Sequence, residues 1–242
     1  MNDNKKKLKN LLQYYFKKKI TIIDAGVNKG HFLTKKIGLA NIDKALMIDP
    51  IKNRSLKKLI NKKFKYLDVA LGNKKRETSF YIHSNKHSEW SSLHKISKVS
   101  PYNTLYKKHL IKPIKKKIYQ ESLDNILGKN TDIKDYFKLN KRKIDILKID
   151  CQSNTLPILH GAQKTLNTKK IKMIIAAINP YDFYQNKKDD FIKILQYLSS
   201  KNFELINIAN AHNGKLGNLN YSFSDFRIWT FDAIFINKKN NK

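Results

Sequence analysis

The segment Ile20-Thr-Ile-Ile-Asp-Ala-Gly-Val-Asn-Lys-Gly30 decides the fold of this chain. Its first half is a short apolar run rich in β-branched residues, which is typical of a buried strand. Its second half has the spacing Asp-x-Gly-x-x-x-Gly, where Gly26 permits a sharp turn and Gly30 permits close packing on the sheet. The spacing differs from the Gly-x-Gly-x-x-Gly of dinucleotide-binding folds and from a Walker loop. The segment therefore predicts a strand, a ligand-binding turn and a helix start.

Apolar strand-like runs recur along the chain and alternate with helix-like stretches. The predicted strands after the first cover 44–49, 64–70, 78–83, 144–150 and 172–178, and the predicted helices cover 29–39, 52–62, 155–166 and 187–200. This alternation favours an α/β fold with a doubly wound, mostly parallel sheet. Two closing strands at 203–209 and 230–237 have no long helix between them, which predicts an antiparallel C-terminal edge.

Acidic residues are scarce in this chain, yet five lie within or at the ends of the first four core strands. They are Asp24, Asp49, Asp68, Asp145 and Asp150. An acid at the end of the second strand accepts hydrogen bonds from ribose hydroxyls in doubly wound folds. Buried carboxylates are costly without a partner, and a cationic cofactor would supply one. Some of these acids also suit helix capping. The set predicts an adenosine-type cofactor that carries positive charge.

Four blocks of sequence resemble motifs of a known family and follow one another in the same order as those motifs. They are Asp24–Gly30, Met47-Ile-Asp49-Pro50, Ile144–Asp150 followed by Leu159-His-Gly-Ala162, and Phe231-Asp-Ala-Ile-Phe235. Over roughly 18–238 the chain resembles the FkbM family of S-adenosyl-L-methionine-dependent methyltransferases. The resemblance implies a class I methyltransferase fold, which is Rossmann-like, and transfer of a methyl group to hydroxyl oxygens, often on sugars or glycolipids.

The resemblance also implies roles for individual residues. It assigns the methionine part of S-adenosyl-L-methionine to Asp24, Gly26, Asn28 and Gly30. It assigns the ribose to Asp49 and the adenine to Asp68 and Ala70. Asp150 is the first candidate for the base at the reacting centre, and His94 is the second. The histidines show no metal-ligand spacing, so no metal site is expected.

Three positions depart from the family pattern. Gln152 and Thr155 stand where the family commonly has glutamate, and Ala177 stands where an acid is common. A glutamine cannot act as a base and cannot neutralise a cation. A non-catalytic module that binds a cofactor or another ligand therefore stays open beside the methyltransferase.

The formal net charge of +31 raises a third possibility, an RNA-acting methyltransferase. All but four of the 50 Lys and Arg residues are lysine, and they are scattered along the chain. Arginine is the better bidentate ligand for phosphate and guanine. Nucleic acid is therefore possible but not favoured, and a small-molecule or glycan acceptor is expected.

Domain organisation follows from the ends of the chain and one polar stretch. Residues 1–19 are predicted to form an amphipathic helix, and 20–242 the methyltransferase domain with an insertion at about 84–120. No apolar run has the length of a transmembrane segment. The start lacks a secretory signal and Cys151 is the single cysteine, which is typical of a cytoplasmic protein. The terminal helix and the sheet edge are candidate surfaces for a homodimer.

Overall fold

A seven-stranded sheet organises the chain in the computed structural model, which describes residues 3–83, 85–98, 112–181, 183–185, 187–213 and 228–238. The strands of this sheet are β1 Ile20–Ala25, β2 Ile42–Ile48, β3 Phe64–Leu67, β7 Ile144–Ile149, β8 Ile171–Ile178, β9 Phe203–Asn213 and β10 Ile228–Asn237. Their order across the sheet is β3-β2-β1-β7-β8-β10-β9. The first five strands in that order pair in parallel, and β10 pairs antiparallel with both β8 and β9. The predicted doubly wound sheet with an antiparallel edge is confirmed.

The central strands are buried on both faces because each face is covered by its own apolar cluster. Every residue of β1 and of β7 is buried. Ile23 and Ala25 of β1 belong to one cluster, whereas Ile20 and Ile22 belong to the other. This alternation is what parallel strands at the centre of a sheet require, and it places the carboxyl ends of β1, β2 and β7 at one edge.

Helices cover both faces, and the N-terminal one packs on the domain. The α-helices are Asp3–Tyr15, Leu123–Lys129, Thr131–Phe137, Thr155–His160, Gln163–Asn167 and Phe191–Ser200. Leu8 and Leu12 of the first helix are buried in the cluster that contains Ile20 and Ile22. The helix predicted from 1–19 therefore buries its apolar face within the protein.

Two predicted helices are shorter than the sequence pattern suggests, and neither is an α-helix. The stretch 29–39 forms a π-helix, Phe32–Ile37, and then a 3₁₀-helix, Leu39–Asn41. Gly38 separates them because its φ of 85° does not continue a helix. The stretch 52–62 contains only the 3₁₀-helix Arg54–Lys58.

The chain leaves the main sheet after Leu67 and builds a second, three-stranded sheet. This sheet has the order β4-β6-β5, with β4 Ala70–Leu71, β5 Arg76–Ile82 and β6 Ile114–Glu121. The predicted strand 64–70 is therefore split between two sheets. β6 lies inside the stretch predicted as an insertion, and it pairs antiparallel with β5 along its length. The last part of the predicted insertion, 114–120, thus belongs to the second sheet.

None of the helices in the described ranges is long and apolar enough to cross a membrane.

Candidate functional site

A cavity of about 570 Å³ lies at the carboxyl ends of β1, β2 and β7. Its opposite wall comes from β4, from β5 and from the segment 88–93 that follows. The volume is in the range of cofactor and small-molecule sites. Ligands of doubly wound sheets bind at this edge, so the cavity is the candidate site.

The turn after β1 is pressed against the turn after β7. Gly26 has a φ of +77°, and a Cβ there would lie 2.0 Å from the main-chain oxygen of Asp150. Only glycine fits this approach, because both the positive φ and the missing side chain are needed. The N–H of Gly26 donates to the carbonyl of Ile48 at 2.8 Å, which fixes the turn to β2 as well.

Asp49 is held by two main-chain donors. Its Oδ2 accepts from the N–H of Asn28 at 3.0 Å, and its Oδ1 accepts from the N–H of Ile51 at 3.0 Å. Burial raises the pKa of Asp49 to about 6, although both N–H groups pull it down. Each carboxylate oxygen keeps capacity for a further donor. A rigid carboxylate of this kind suits a ribose diol.

Asp24 does not face the cavity, since it forms a buried ion pair beneath it. The Nζ of Lys148 lies 3.2 Å from Asp24 Oδ1 and 3.2 Å from Asp150 Oδ2. The side chain of Asp24 is 0% exposed and that of Lys148 is 9% exposed. Burial opposes the charge of Lys148, but the two carboxylates outweigh burial and raise its pKa. Burial also raises the pKa of Asp24, against the pull of Lys148.

Asp150 contacts the same ammonium group from the cavity side and lines the cavity. Its side chain is 39% exposed, and its Oδ1 accepts from Nε2 of Gln152 at 3.3 Å. Asp150 is thus a carboxylate with one oxygen near an ammonium, one near an amide, and access to the cavity. Cys151 also lines the cavity, and burial raises the pKa of its thiol, so it is a poor nucleophile.

The residues predicted to hold a ligand divide into two groups. Gly26, Asn28, Asp49, Ala70 and Asp150 line the cavity. Asp24, Gly30, Asp68 and His94 are not among its lining residues.

The residues outside the cavity have other roles or positions. A Cβ on Gly30 would lie 2.9 Å from a methyl of Leu59, so this glycine allows packing beside the 3₁₀-helix. Asp68 is exposed, because the chain leaves β3 just before it. His94 lies beyond the cavity wall, where burial, followed by Lys187 and Arg76, lowers its pKa to about 4.

Several lining residues were not predicted. Phe80, Ile82 and His83 come from the end of β5, and Leu93 comes from the segment that follows. Phe80, Ile82 and Leu93 give this wall an apolar surface. The strand pattern of β5 was visible in the sequence, but nothing in it showed that the second sheet stands against the first.

Lys148 was also overlooked, although the sequence contained a signal. It is a lysine inside an otherwise apolar strand that also contains Asp145. A buried lysine needs an acidic partner. Asp24, at the matching position of β1, supplies it, because the register pairs Asp24 with Lys148.

The arrangement fits a nucleoside-containing ligand. Asp49 offers a carboxylate that can accept hydrogen bonds from a diol, and Val69, Ala70 and Phe80 provide an apolar surface for a base. Asp150 marks the other end of the cavity with a partly exposed carboxylate. In the described residues no group of three or more His, Cys, Asp or Glu side chains is placed to hold a metal ion.

Comparison with known proteins agrees with this geometry. The family model of the methyltransferase FkbM domain matches residues 24–205. No curated protein matches the chain. The matched range begins at Asp24, ends in β9 and contains the turn after β1, Asp49 and the Asp150 turn. The chain belongs to the FkbM methyltransferase family.

Proposed function

We propose that this methyltransferase uses S-adenosyl-L-methionine to methylate a hydroxyl oxygen of a sugar, a glycolipid or another small acceptor. The observation that carries the proposal is that Asp49 and Asp150 line the same cavity. One end offers a fixed carboxylate for a ribose, and the other offers a carboxylate beside the reacting centre.

The lining residues fit this cofactor. Asp49 would hold the ribose, and the apolar surface of Val69 and Ala70 would receive the adenine. Gly26 and Asn28 would lie against the methionine part, because only a glycine turn leaves the main chain so exposed at this edge. When bound, the cofactor supplies a sulfonium methyl group that a nucleophile can accept.

Asp24 has an indirect role in this site. Its carboxylate is occupied by Lys148 and is fully buried, so the ammonium group of the cofactor would not meet it. Instead, Asp24 neutralises Lys148 and thereby holds the ammonium that faces Asp150. The negative group that faces the cavity at this point is Asp150.

The chain's own contribution to the reaction is positioning and proton removal. Asp150 would accept the proton of an acceptor hydroxyl, while bound S-adenosyl-L-methionine would supply the methyl group to that oxygen and leave as S-adenosylhomocysteine. Lys148 keeps the carboxylate in place through its 3.2 Å contact with Oδ2. Orientation of the two reactants in this cavity would supply most of the rate acceleration.

The acceptor class rests on the wall built by β5 and the segment 85–98. Phe80 and Ile82 provide apolar surface, and Ser88, Ser91 and Glu89 provide hydrogen-bonding groups near them. Sugars have the same mixture of apolar faces and hydroxyl groups. The sequence also suggests the stretches 84–120 and 212–227 for acceptor binding, and within them residues 84, 99–111 and 214–227 lie outside the described part of the chain.

A methyl-transfer screen tests the proposal and separates its alternatives. The protein is incubated with S-adenosyl-L-methionine labelled in the methyl group and with separate glycan, lipid, small-molecule and RNA fractions. Label in a glycan, lipid or small molecule, lost in Asp150→Asn, supports the proposal. Label in RNA alone favours the alternative raised by the charge of +31. Cofactor binding without any transfer favours a non-catalytic module.

A further inference from the structure

The turn after β7 places Gln152 in an unusual main-chain conformation. Gln152 has a φ of 48° and the next residue, Ser153, has a φ of 62°. Two successive non-glycine residues in this region are strained, and they persist only where surrounding contacts hold them. One such contact is the hydroxyl of Ser92, which donates to the carbonyl of Gln152 at 3.1 Å.

The side chain of Gln152 connects three parts of the site. Its Nε2 donates to Asp150 Oδ1 at 3.3 Å. Its Oε1 accepts from Nδ2 of Asn179 at 3.3 Å and from the hydroxyl of Tyr184 at 3.1 Å. An ionised carboxylate only accepts hydrogen bonds, so the amide must present its NH₂ to Asp150. Asn179, which donates its Nδ2 on the opposite side, favours the same orientation.

Tyr184 links this amide to the wall of the cavity. Its side chain is 0% exposed, and its hydroxyl also lies 3.0 Å from the carbonyl oxygen of Trp90. The main chain beside it is hydrogen-bonded to the segment 85–98. The N–H of Gln185 donates to the carbonyl oxygen of Lys95 at 2.8 Å, and the N–H of Ser97 donates to the carbonyl oxygen of Phe183 at 2.9 Å. Docking of that segment and the position of the Gln152 amide therefore share the same contacts.

We propose that Gln152 is a positioning residue that holds the Asp150 carboxylate toward the cavity when the segment 85–98 is docked. The inference rests on the proposed function in one respect, namely that Asp150 takes the acceptor proton. It explains why an amide suits this position. A glutamate would place a carboxylate oxygen against Asp150 Oδ1, and one of the two groups would have to hold a proton.

The charges around Asp150 set the background for a test. Lys148 and Asp24 face it from the strands, and Cys151 and Asp189 face it from neighbouring turns. Substitution of Gln152 leaves these four groups in place. A change in the titration of Asp150 therefore reports on the group at position 152.

The titration of Asp150 in the protein without cofactor or acceptor tests the inference. Aspartate labelled with ¹³C at Cγ is followed by NMR across pH, and Asp150→Asn assigns the Asp150 resonance. In Gln152→Glu we expect Asp150 to titrate in two coupled steps, with one apparent pKa raised by about one unit or more. Gln163→Glu, the same change at an exposed helical position, should leave the titration as in the wild type.

Tyr184→Phe provides a second variant that adds no charge. It removes the hydroxyl that lies between Oε1 and the carbonyl oxygen of Trp90, so the amide can turn its oxygen toward Asp150. We expect a smaller shift of the Asp150 pKa in the same direction. An unchanged Asp150 titration in folded Gln152→Glu would overturn the inference. Because neither cofactor nor acceptor is present, this result is independent of whether the protein transfers methyl groups.

Discussion

Asp24 and Lys148 are register partners on β1 and β7, and the Nζ of Lys148 lies 3.2 Å from Asp24 Oδ1 in the buried centre of the sheet. The same ammonium reaches Asp150 Oδ2 on the cavity side. One lysine thus joins a carboxylate in the core to a carboxylate in the site. The ion pair offsets only part of the energetic cost of burying Asp24, since burial still raises the pKa of this carboxyl group.

Lys148→Met is expected to destabilise the protein by about 3–5 kcal/mol, since it leaves Asp24 as a buried group without a counter-ion. Urea denaturation measures the free energy of unfolding. The double variant Asp24→Asn with Lys148→Met removes both charges and should regain most of the loss. If Lys148→Met alone were as stable as the wild type, the buried pair would have no energetic importance.

Gly26→Ala is expected to disrupt the site, because the added Cβ would meet the Asp150 carbonyl oxygen at 2.0 Å and the residue would keep a φ of +77°. We expect a loss of about 2 kcal/mol or more in the free energy of unfolding. Gly128→Ala is the matched control. Its Cβ would meet nothing within 4 Å in the helix Leu123–Lys129, and it should stabilise by about 0.5–1 kcal/mol. Equal effects of the two substitutions would contradict the close approach of the two turns.

Cofactor affinity is expected to rise with pH across the range in which Asp49 ionises. Burial raises its pKa to about 6. A ribose diol donates to the ionised form, so binding releases a proton below that pH, and affinity increases until the carboxylate is fully ionised. Calorimetry at pH 5.5 in buffers of different ionisation enthalpy measures the released proton. No proton release would show that Asp49 does not change its ionisation on binding.

The same group has the opposite effect on folding. Because the folded protein holds the Asp49 proton more tightly than the unfolded chain does, the contribution of Asp49 to stability falls as pH rises between about 4 and 6. Thermal unfolding of Asp49→Asn against the wild type across this range checks the sign. A contribution that grew with pH would mean that the pKa is lowered in the folded state.

The main sheet could be predicted from the sequence because its strands carry a strong, repeated pattern. Buried parallel strands such as β1 and β7 are short apolar runs, and the sequence shows no long helical pattern between the two closing strands. The second sheet was harder to predict. β6 is mostly exposed and lysine-rich, so its sequence has no apolar signal, and its pairing with β5 and β4 makes it a strand.

The site was predictable where a residue's role follows from its place at a strand end. Asp49 and Asp150 come directly after β2 and β7, and both reach the cavity. Asp24 is part of β1, and the register places its side chain in the core opposite Lys148. Asp24 lies one residue before the end of β1, and this places its side chain in a buried ion pair instead of against a ligand. The spacing of residues in the sequence does not distinguish these two positions.

The most direct test of the account is calorimetric titration of the protein with S-adenosyl-L-methionine and with its product, S-adenosylhomocysteine. The account predicts binding of one molecule per chain, weakened about 10–100-fold in Asp49→Asn, because a hydrogen-bonded charged group is lost. Asp68→Asn, an exposed aspartate outside the cavity lining, should bind as the wild type does. Absence of binding by the wild type, or equal weakening by the two substitutions, would contradict the assignment of this cavity to the cofactor.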